Sequence, residues 1–456
     1  MPRQACHPDP GGSKQTGRGA QIAPHPRKPC GATKHLRPIG SRGRCAKHNA
    51  WSDVCSADRR MTGPGSKVLA INAGSSSIRF TIHEGPGLME SLRGKVDRLR
   101  ESEPILNLRR SSPPLSRATP FALDGRSVAA AFVDMLEREG ALDSTTAAGH
   151  RIVHGMDCSG PMLIDDQLIE KLRSISVHDR QHLPLAIDLI EALRTRLPNV
   201  PQVACFDTSF HRSLPRAARI LPIPRRFGEG GIRRYGFHGL SFSFVLEELA
   251  RVAGRRAAEG RLVLAHLGNG SSLAAVRNGR CLDTTMGFTP TGGLPMGNRS
   301  GDLDPGAVFA MARAERLSLE AVETILETES GLVGVSETSG DVRDLLKRER
   351  TDPRAADAID MFCLHVRKGI GAMTAALGGL DTLVFTGGIG ENSAEIRSRV
   401  CQDLGFLGVK VEEGRNAAGA PIISSEEALV TVRVIPTDEE RMIARETGRV
   451  MRSMES

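Results

Sequence analysis

Apolar residues run unbroken through Val68, Leu69, Ala70 and Ile71, and a second apolar-rich stretch covers residues 78–82. A glycine and three serines lie between them. Continuous apolar runs bounded by small residues predict buried strands, so "VLAINAGSSSIRFTI" reads as a strand hairpin. The pattern returns. "VLAHLGNGSSL" at 263–273 aligns with "VLAINAGSSSI" at 68–78, an offset of 195 residues, with Val-Leu-Ala and Ser-Ser identical. Two such hairpins imply two related domains facing each other across a cleft; a chance likeness of two small-residue turns is the plainer alternative. Between and after them the period changes. "SVAAAFVDMLEREG" places Val128, Phe132, Val133 and Leu136 at helical spacing and ends at Gly140, and "LAIDLIEALRTRLP" does the same with Ala186, Leu189, Ile190 and Leu193. "VACFDTSF" and "TLVFTGGIG" read as strands that end in polar loops. This alternation predicts an α/β protein with ligand loops at strand ends. The apolar core begins near Lys67. The spacing of the repeat fits a domain change near residues 208–215, and the expected domains are 67–208 plus 440–456 and 209–439.

Composition changes the picture mainly at the N-terminal end. The chain has 456 residues, 39% hydrophobic and 25% charged, as expected of a globular protein large enough for two cores. No apolar run approaches the roughly 18 residues of a membrane helix. The net charge of +8 suggests an anionic partner, but residues 1–66 alone carry twelve Lys/Arg against Asp9, Asp53 and Asp58. The rest of the chain is therefore close to neutral. That basic leader, rich in Gly and Pro, has no hydrophobic period and is expected to be disordered, or to reflect an over-extended gene start with Met61 as the true first residue. Its Cys6, Cys30, Cys45 and Cys55 form no CxxC pair, which argues against zinc, and nucleic-acid binding would rest on the leader alone. It lacks a hydrophobic signal core, and the five remaining cysteines are scattered; both favour a reducing cytoplasm.

The first hairpin raises a chemical question. Gly-Ser turns after strands often cradle phosphate with backbone N–H groups. The usual phosphate loop, however, opens a helix and carries Gly-Lys-Ser/Thr, and this turn does neither. The answer comes from eight segments in order: "INAGSSS", "HRIVHG", "FDTSFH", "RRYGFHG", "HLGNGSS", "DTTMGFTPTGGLPMGNRSGDLDPG", "FTGGIGEN" and "PTDEERMIA". In this order and over Val68 to Arg445 the chain resembles the acetokinase family, the acetate kinases and their short-chain fatty-acid kinase relatives. The resemblance implies a two-domain, duplicated actin-like ATPase (ribonuclease H-like) fold with a central cleft, in which a phosphate hairpin from each domain flanks the nucleotide. It implies reversible phosphoryl transfer between ATP and acetate, giving ADP and acetyl phosphate, with Mg2+ (or Mn2+), by a cytoplasmic homodimer without membrane contact. Propionate or butyrate is the alternative acceptor on the same site.

Such a transfer brings two anions together, so the site needs cations, a metal, neutral donors and exclusion of water. Guanidinium forks suit carboxylate and phosphoryl oxygens. The resemblance places Arg151 at the acetate and Arg299 at the transferring group, and makes His238 a donor to the transition state. Asp207 ends a strand, where a carboxylate can move a proton, orient an arginine or support a metal through water; with an acceptor already ionised, orientation of Arg151 or metal support is favoured. Val153, Phe237 and Pro290 match the pocket for the acetate methyl. Nucleotide contacts fall on Arg79, on His266, Leu267, Gly268, Asn269 and Gly270, on Asp341, Val342 and Arg343, and on Gly388, Ile389, Gly390, Glu391 and Asn392. Asn72 and Glu439 match the magnesium positions, with Glu440 as the alternative ligand. Two departures stand out: Arg79 replaces the family's lysine, and "VHDRQHLPL" replaces its "PLHNP" segment, leaving His178 and His182 as rival equivalents of its histidine.

Overall fold

A computed structural model describes residues 65–74, 76–99 and 101–455. The leader expected to be disordered, with its four cysteines and Met61, lies outside the described residues.

The first hairpin is β1 (Lys67–Ala73) and β2 (Ile78–Glu84), followed by β3 (Met89–Asp97), β4 (Ile105–Arg110) and β5 (Leu115–Pro120) as an antiparallel meander. Next come β6 (Ala147–Ile152), β7 (Met162–Leu163) and β8 (Gln202–Phe206). These eight strands form one sheet in the order β5-β4-β3-β2-β1-β6-β8-β7. The second hairpin is β9 (Arg261–Leu267) and β10 (Ser271–Arg277); with β11 (Arg280–Thr284), β12 (Thr382–Thr386) and β13 (Thr431–Val434) it forms a sheet ordered β11-β10-β9-β12-β13. The two sheets repeat one topology. In each, the first strand pairs antiparallel with the second and parallel with a later strand, and that strand pairs parallel with the next. The repeat is thus a repeat of fold and not only of two turns. The matched serines do not coincide in it: Ser76 and Ser77 lie in the first turn, whereas Ser271 and Ser272 open β10.

The helices follow from capping and period. Ser127 caps Val128–Arg138 by accepting from the Ala130 amide, and its apolar face buries Phe132, Val133 and Leu136 against β1 and β2. The helix Leu183–Arg196 starts with Pro184 in its first turn, where the missing N–H costs nothing. Three helices matter for the site. Gly239–Ala253 presents Leu240 and Phe244 to the first sheet and Phe242, Val245 and Leu249 to the second, so it lies between the two. The C-terminal helix Glu439–Glu455 packs Met442, Ile443 and Ala444 on Val68, Ala70, Val203 and Cys205 of the first sheet. "GGIGEN", read from sequence as a loop before a helix, is itself a helical turn, Gly387–Asn392. Among the described residues no helix is long and apolar enough to cross a membrane, and Cys158, Cys205, Cys281, Cys363 and Cys401 are free and buried.

Candidate active site

The C-terminal ends of the parallel strands β1, β6 and β8 in one sheet and β9 and β12 in the other line a single polar cleft of about 290 Å³. Ligands of open α/β sheets bind at such ends. From β1 comes Asn72, and Arg79 is its cross-strand partner on β2. Arg151 and Val153 follow from β6, and Asp207 is the first residue after β8. His266 and the Gly268–Gly270 turn come from β9, and Gly387 and Gly388 lie just past β12. Of the other predicted residues, Phe237, His238, Pro290, Arg299 and Glu439 also line the cleft, and Gly74, Ser76, Ser77, His182 and Thr437 line it with them.

Charge is organised around Arg151. Its Nε and Nη2 donate to Asp207 Oδ2 at 3.0 and 2.6 Å, and its Nη1 donates to Asn72 Oδ1 at 3.0 Å. Burial works against the Arg151 charge, but Asp207 and Glu439 outweigh it and hold the guanidinium protonated. Burial pushes the Asp207 carboxyl up against the pull of Arg151. Asn72 Nδ2 in turn donates to Glu439 Oε2 and Glu440 Oε1, each at 2.8 Å. Only Glu439 of these two acids lines the cleft; Glu440 is also bonded to Arg93 Nη1 at 3.3 Å. Burial penalises the Glu439 carboxylate, yet Arg151 and Arg79 more than offset this and keep it below the usual range. Arg299 makes a long bond, 3.4 Å, to the Pro290 carbonyl, and among the described residues no carboxylate lies within ion-pair distance of it. Burial lowers its pKa from the ordinary value. A cation held so loosely is ready for an anionic ligand.

The neutral donors are two histidines. His238 and His266 stack with ring centroids 4.2 Å apart. Burial, then His266, Arg151 and Arg299, push His238 well below the ordinary value, and burial takes His266 to about 4. Both are neutral at pH 7. His238 Nδ1 lies 2.9 Å from Ser272 Oγ, and His266 Nδ1 lies 2.8 Å from Ser241 Oγ. With each serine hydroxyl donating to Nδ1, the tautomer inferred from this network leaves Nε2–H as the free donor. Two glycines make the packing possible. A Cβ on Gly270 would stand 3.0 Å from His238 Nε2, and one on Gly239 only 1.9 Å from the Asp207 carbonyl oxygen. His238 adopts the left-handed conformation (φ 57°) at the start of its helix, which turns its ring toward the cleft.

The apolar pocket is also formed. Val153 and Phe237 cluster with Met286 and Met296. Of the rival histidines, His182 lines the cleft, whereas His178 packs on Phe288 with centroids 5.2 Å apart. Other predicted residues stand outside the cleft lining. Leu267 and Val342 are core. Asp341 caps its own helix, and the exposed Arg343 is paired with it at 2.6 Å. Glu391 Oε1 accepts from the Gly387 and Thr437 amides at 2.8 and 3.0 Å, so it shapes the turn. Asn392 bonds the Gly388 carbonyl, while Ile389 packs against the core and Gly390 accepts from Arg397. Sequence reasoning missed Ser272, Ser241 and Thr437. Thr437 lies two residues before Glu439, and its hydroxyl has no partner among the described residues.

Two sheets of one topology, with a polar cleft at their strand ends, define an actin-like ATPase fold. The profile of the Acetokinase family matches residues 67–445, and the chain belongs to that family. It is 40% identical over 396 residues to the acetate kinase of Rhodopseudomonas palustris (strain ATCC BAA-98 / CGA009), spanning 84% of this chain and 98% of that protein. It is also 40% identical over 390 residues to the propionate kinase of Citrobacter rodentium (strain ICC168), with 84% and 96% covered. Among solved structures, Porphyromonas gingivalis acetate kinase matches with a TM-score of 0.76 and 34% identity, covering 85% of this chain and all (100%) of that one. A propionate kinase from Francisella tularensis subsp. tularensis SCHU S4 matches at 0.77 and 32%, covering 84% and 100%. The protein is a phosphotransferase with a carboxylate as acceptor.

Proposed function

We propose that the protein is an acetate kinase, transferring the γ-phosphoryl group of ATP directly and reversibly to acetate. The observation that carries this reading is the convergence of Arg151, Arg299 and neutral His238 on one cleft with a small apolar wall. Arg151, fixed by Asp207 and Asn72, meets the acceptor carboxylate, with Val153, Phe237 and Pro290 around the methyl group. Arg299 and His238 Nε2–H meet the equatorial oxygens, where charge spreads in the transition state. Asp207 acts by orienting Arg151, since a carboxylate acceptor has no proton to give up at pH 7. Gly74, Ser76 and Ser77 of the first turn and the Gly268–Gly270 turn, with Arg79, His266, Asn269 and Gly388, hold the nucleotide phosphates. The domains 67–208 plus 440–456 and 209–439 are read as the two lobes that close on it.

Among the described residues no three acids, histidines or cysteines cluster as a metal cage. Mg2+ needs none: it is commonly held by one or two carboxylates together with substrate phosphates and water. Glu439 suits that role. Asn72, its amide bonded to Glu439 and Glu440 and its oxygen to Arg151, would orient the ligand. The ion would supply charge neutralisation on the β- and γ-phosphates. A homodimer in the cytoplasm belongs to the same reading.

Propionate is the rival acceptor, favoured by the relatives of that name. One methylene in an apolar pocket is worth about 1–3 kcal/mol, or roughly 10–200-fold. The test is a hydroxylamine-trapping assay with MgATP and acetate, propionate or butyrate. The expected order in kcat/KM is acetate, then propionate, then butyrate. A preference for propionate would reassign the acceptor, and no hydroxamate with any of the three would overturn the reading.

A further inference from the structure

The segment between the helices Asp166–Ile175 and Leu183–Arg196 departs from the family pattern and holds a buried pair to which the reaction above gives no task. Asp179 is 5% exposed, and its Oδ1 accepts from His182 Nδ1 at 2.7 Å. Its Oδ2 is buried with no hydrogen-bond partner. The charge of this carboxylate reaches both Arg299 and His154. With Nδ1 committed to Asp179, Nε2 is the ring nitrogen left to His182, which lines the cleft with Arg299, Pro290, Phe237 and Val153. The segment is also anchored across the cleft. Gln181 Nε2 donates to Glu327 Oε2 at 2.8 Å, Glu327 Oε1 accepts from Thr291 Oγ1 at 3.2 Å, and His178 packs on Phe288. Thr291 directly follows Pro290, and Phe288 lies two residues before it. A histidine on a segment fastened at both sides, with one nitrogen tied to a buried carboxylate, has a fixed ring orientation and a fixed tautomer.

We propose that Asp179 is a positioning residue for the phosphoryl acceptor: it fixes the His182 ring so that Nε2 serves the carboxylate bound in the cleft. The inference rests on the acyl-kinase reading and adds to it a polar wall that the apolar residues do not supply. An unfixed imidazole would offer the carboxylate either nitrogen or a carbon edge, and hydrogen bonds to charged groups are worth enough to change affinity about tenfold or more.

Four variants test it: Asp179→Ala, Asp179→Asn, His182→Ala and the double Asp179→Ala/His182→Ala. Each is assayed for acetate dependence of acyl phosphate formation and, separately, for nucleotide affinity. Asp179→Ala and His182→Ala should each lower kcat/KM for the carboxylate about tenfold, with nucleotide affinity within about twofold of wild type. Asp179→Asn keeps an acceptor for Nδ1–H and should recover most of the loss. The double variant should be no worse than the poorer single, because the two residues act as a unit. Losses that multiply in the double variant would overturn the proposal. So would Asp179→Asn as poor as Asp179→Ala, or carboxylate and nucleotide affinity falling together. A wild-type protein that phosphorylates no short carboxylate overturns the reaction and this proposal with it; an active wild type with an indifferent Asp179→Ala overturns the positioning alone.

Discussion

Arg151 commits three of its five N–H donors inside the protein, two to Asp207 and one to Asn72, and keeps two for a ligand. That division turns a flexible cation into a fixed fork. His238 shows the same economy with a neutral ring: Nδ1 is taken by Ser272, and Nε2 is left. Because the donor matters where charge develops, His238→Ala should lower kcat by about 10²–10³ while changing the KM for acetate little. Steady-state kinetics checks this; an unchanged kcat with a raised KM would make His238 a ground-state contact. At this scale the family resemblance singled out Arg151, Arg299, His238 and Asp207, and the fold gathers all four in one cleft. Their supports were not legible in the sequence. Ser272 is 34 residues from His238, and Glu439 is 367 from Asn72. Nothing local in the chain marks such contacts. His182 could be told from His178 only once the fold had set one ring in the cleft and the other on Phe288.

At the scale of elements, the C-terminal helix shows how packing selects among equivalent side chains. Glu439 and Glu440 open it side by side; the resemblance puts Glu439 at the metal position, with Glu440 as the alternative. Arg93 on β3 separates their surroundings: it bonds Glu440, Asp438 and Glu90, so Glu440 is tied to the sheet while Glu439 lines the cleft. Arg93→Ala would leave Glu440, 3% exposed, without its guanidinium partner. The expected cost is about 1–3 kcal/mol of stability, largely recovered in Arg93→Lys. Denaturant titration reads it, and a loss below a few tenths of a kcal/mol would mean that Arg93 is a surface charge only. The strands β1, β2, β8, β9, β10 and β12 and the helices Val128–Arg138 and Leu183–Arg196 were legible because buried strands and amphipathic helices write their periods directly; β3 to β7, β11 and β13 carried no such signal. The helical turn Gly387–Asn392 was not, since its glycines carry no period; the Glu391 carboxylate on the Gly387 amide holds it instead.

The whole molecule places the cleft where two copies of one topology present their strand ends. The hairpin repeat announced this, while the shared helix Gly239–Ala253 between the sheets was beyond the reach of pattern. The interior also sets a pH limit. His150 and His211 are fully buried, and burial lowers each to about 4. Unfolded, they would bind protons near pH 6.5, so the unfolded chain takes up protons first as pH falls. Their contribution is therefore flat above about pH 6.5 and drops below it, by about 1.4 kcal/mol per pH unit for each histidine; buried Glu446, pushed up to about 7, opposes one of the two, so the net fall is that of about one histidine. Unfolding midpoints between pH 7.5 and 5 check the sign; a stability that holds or rises toward pH 5 would contradict it. In the proposed reaction Arg299 meets the group in flight and not the resting nucleotide. This is tested most directly by hydroxylamine trapping of acetyl phosphate made by Arg299→Lys, with ATP affinity measured on the same protein. Lysine keeps the charge and loses the fork, so the account predicts a rate about 10²–10³ lower with ATP affinity preserved. A near-native rate, or a loss of ATP binding that matches the loss of rate, would contradict it.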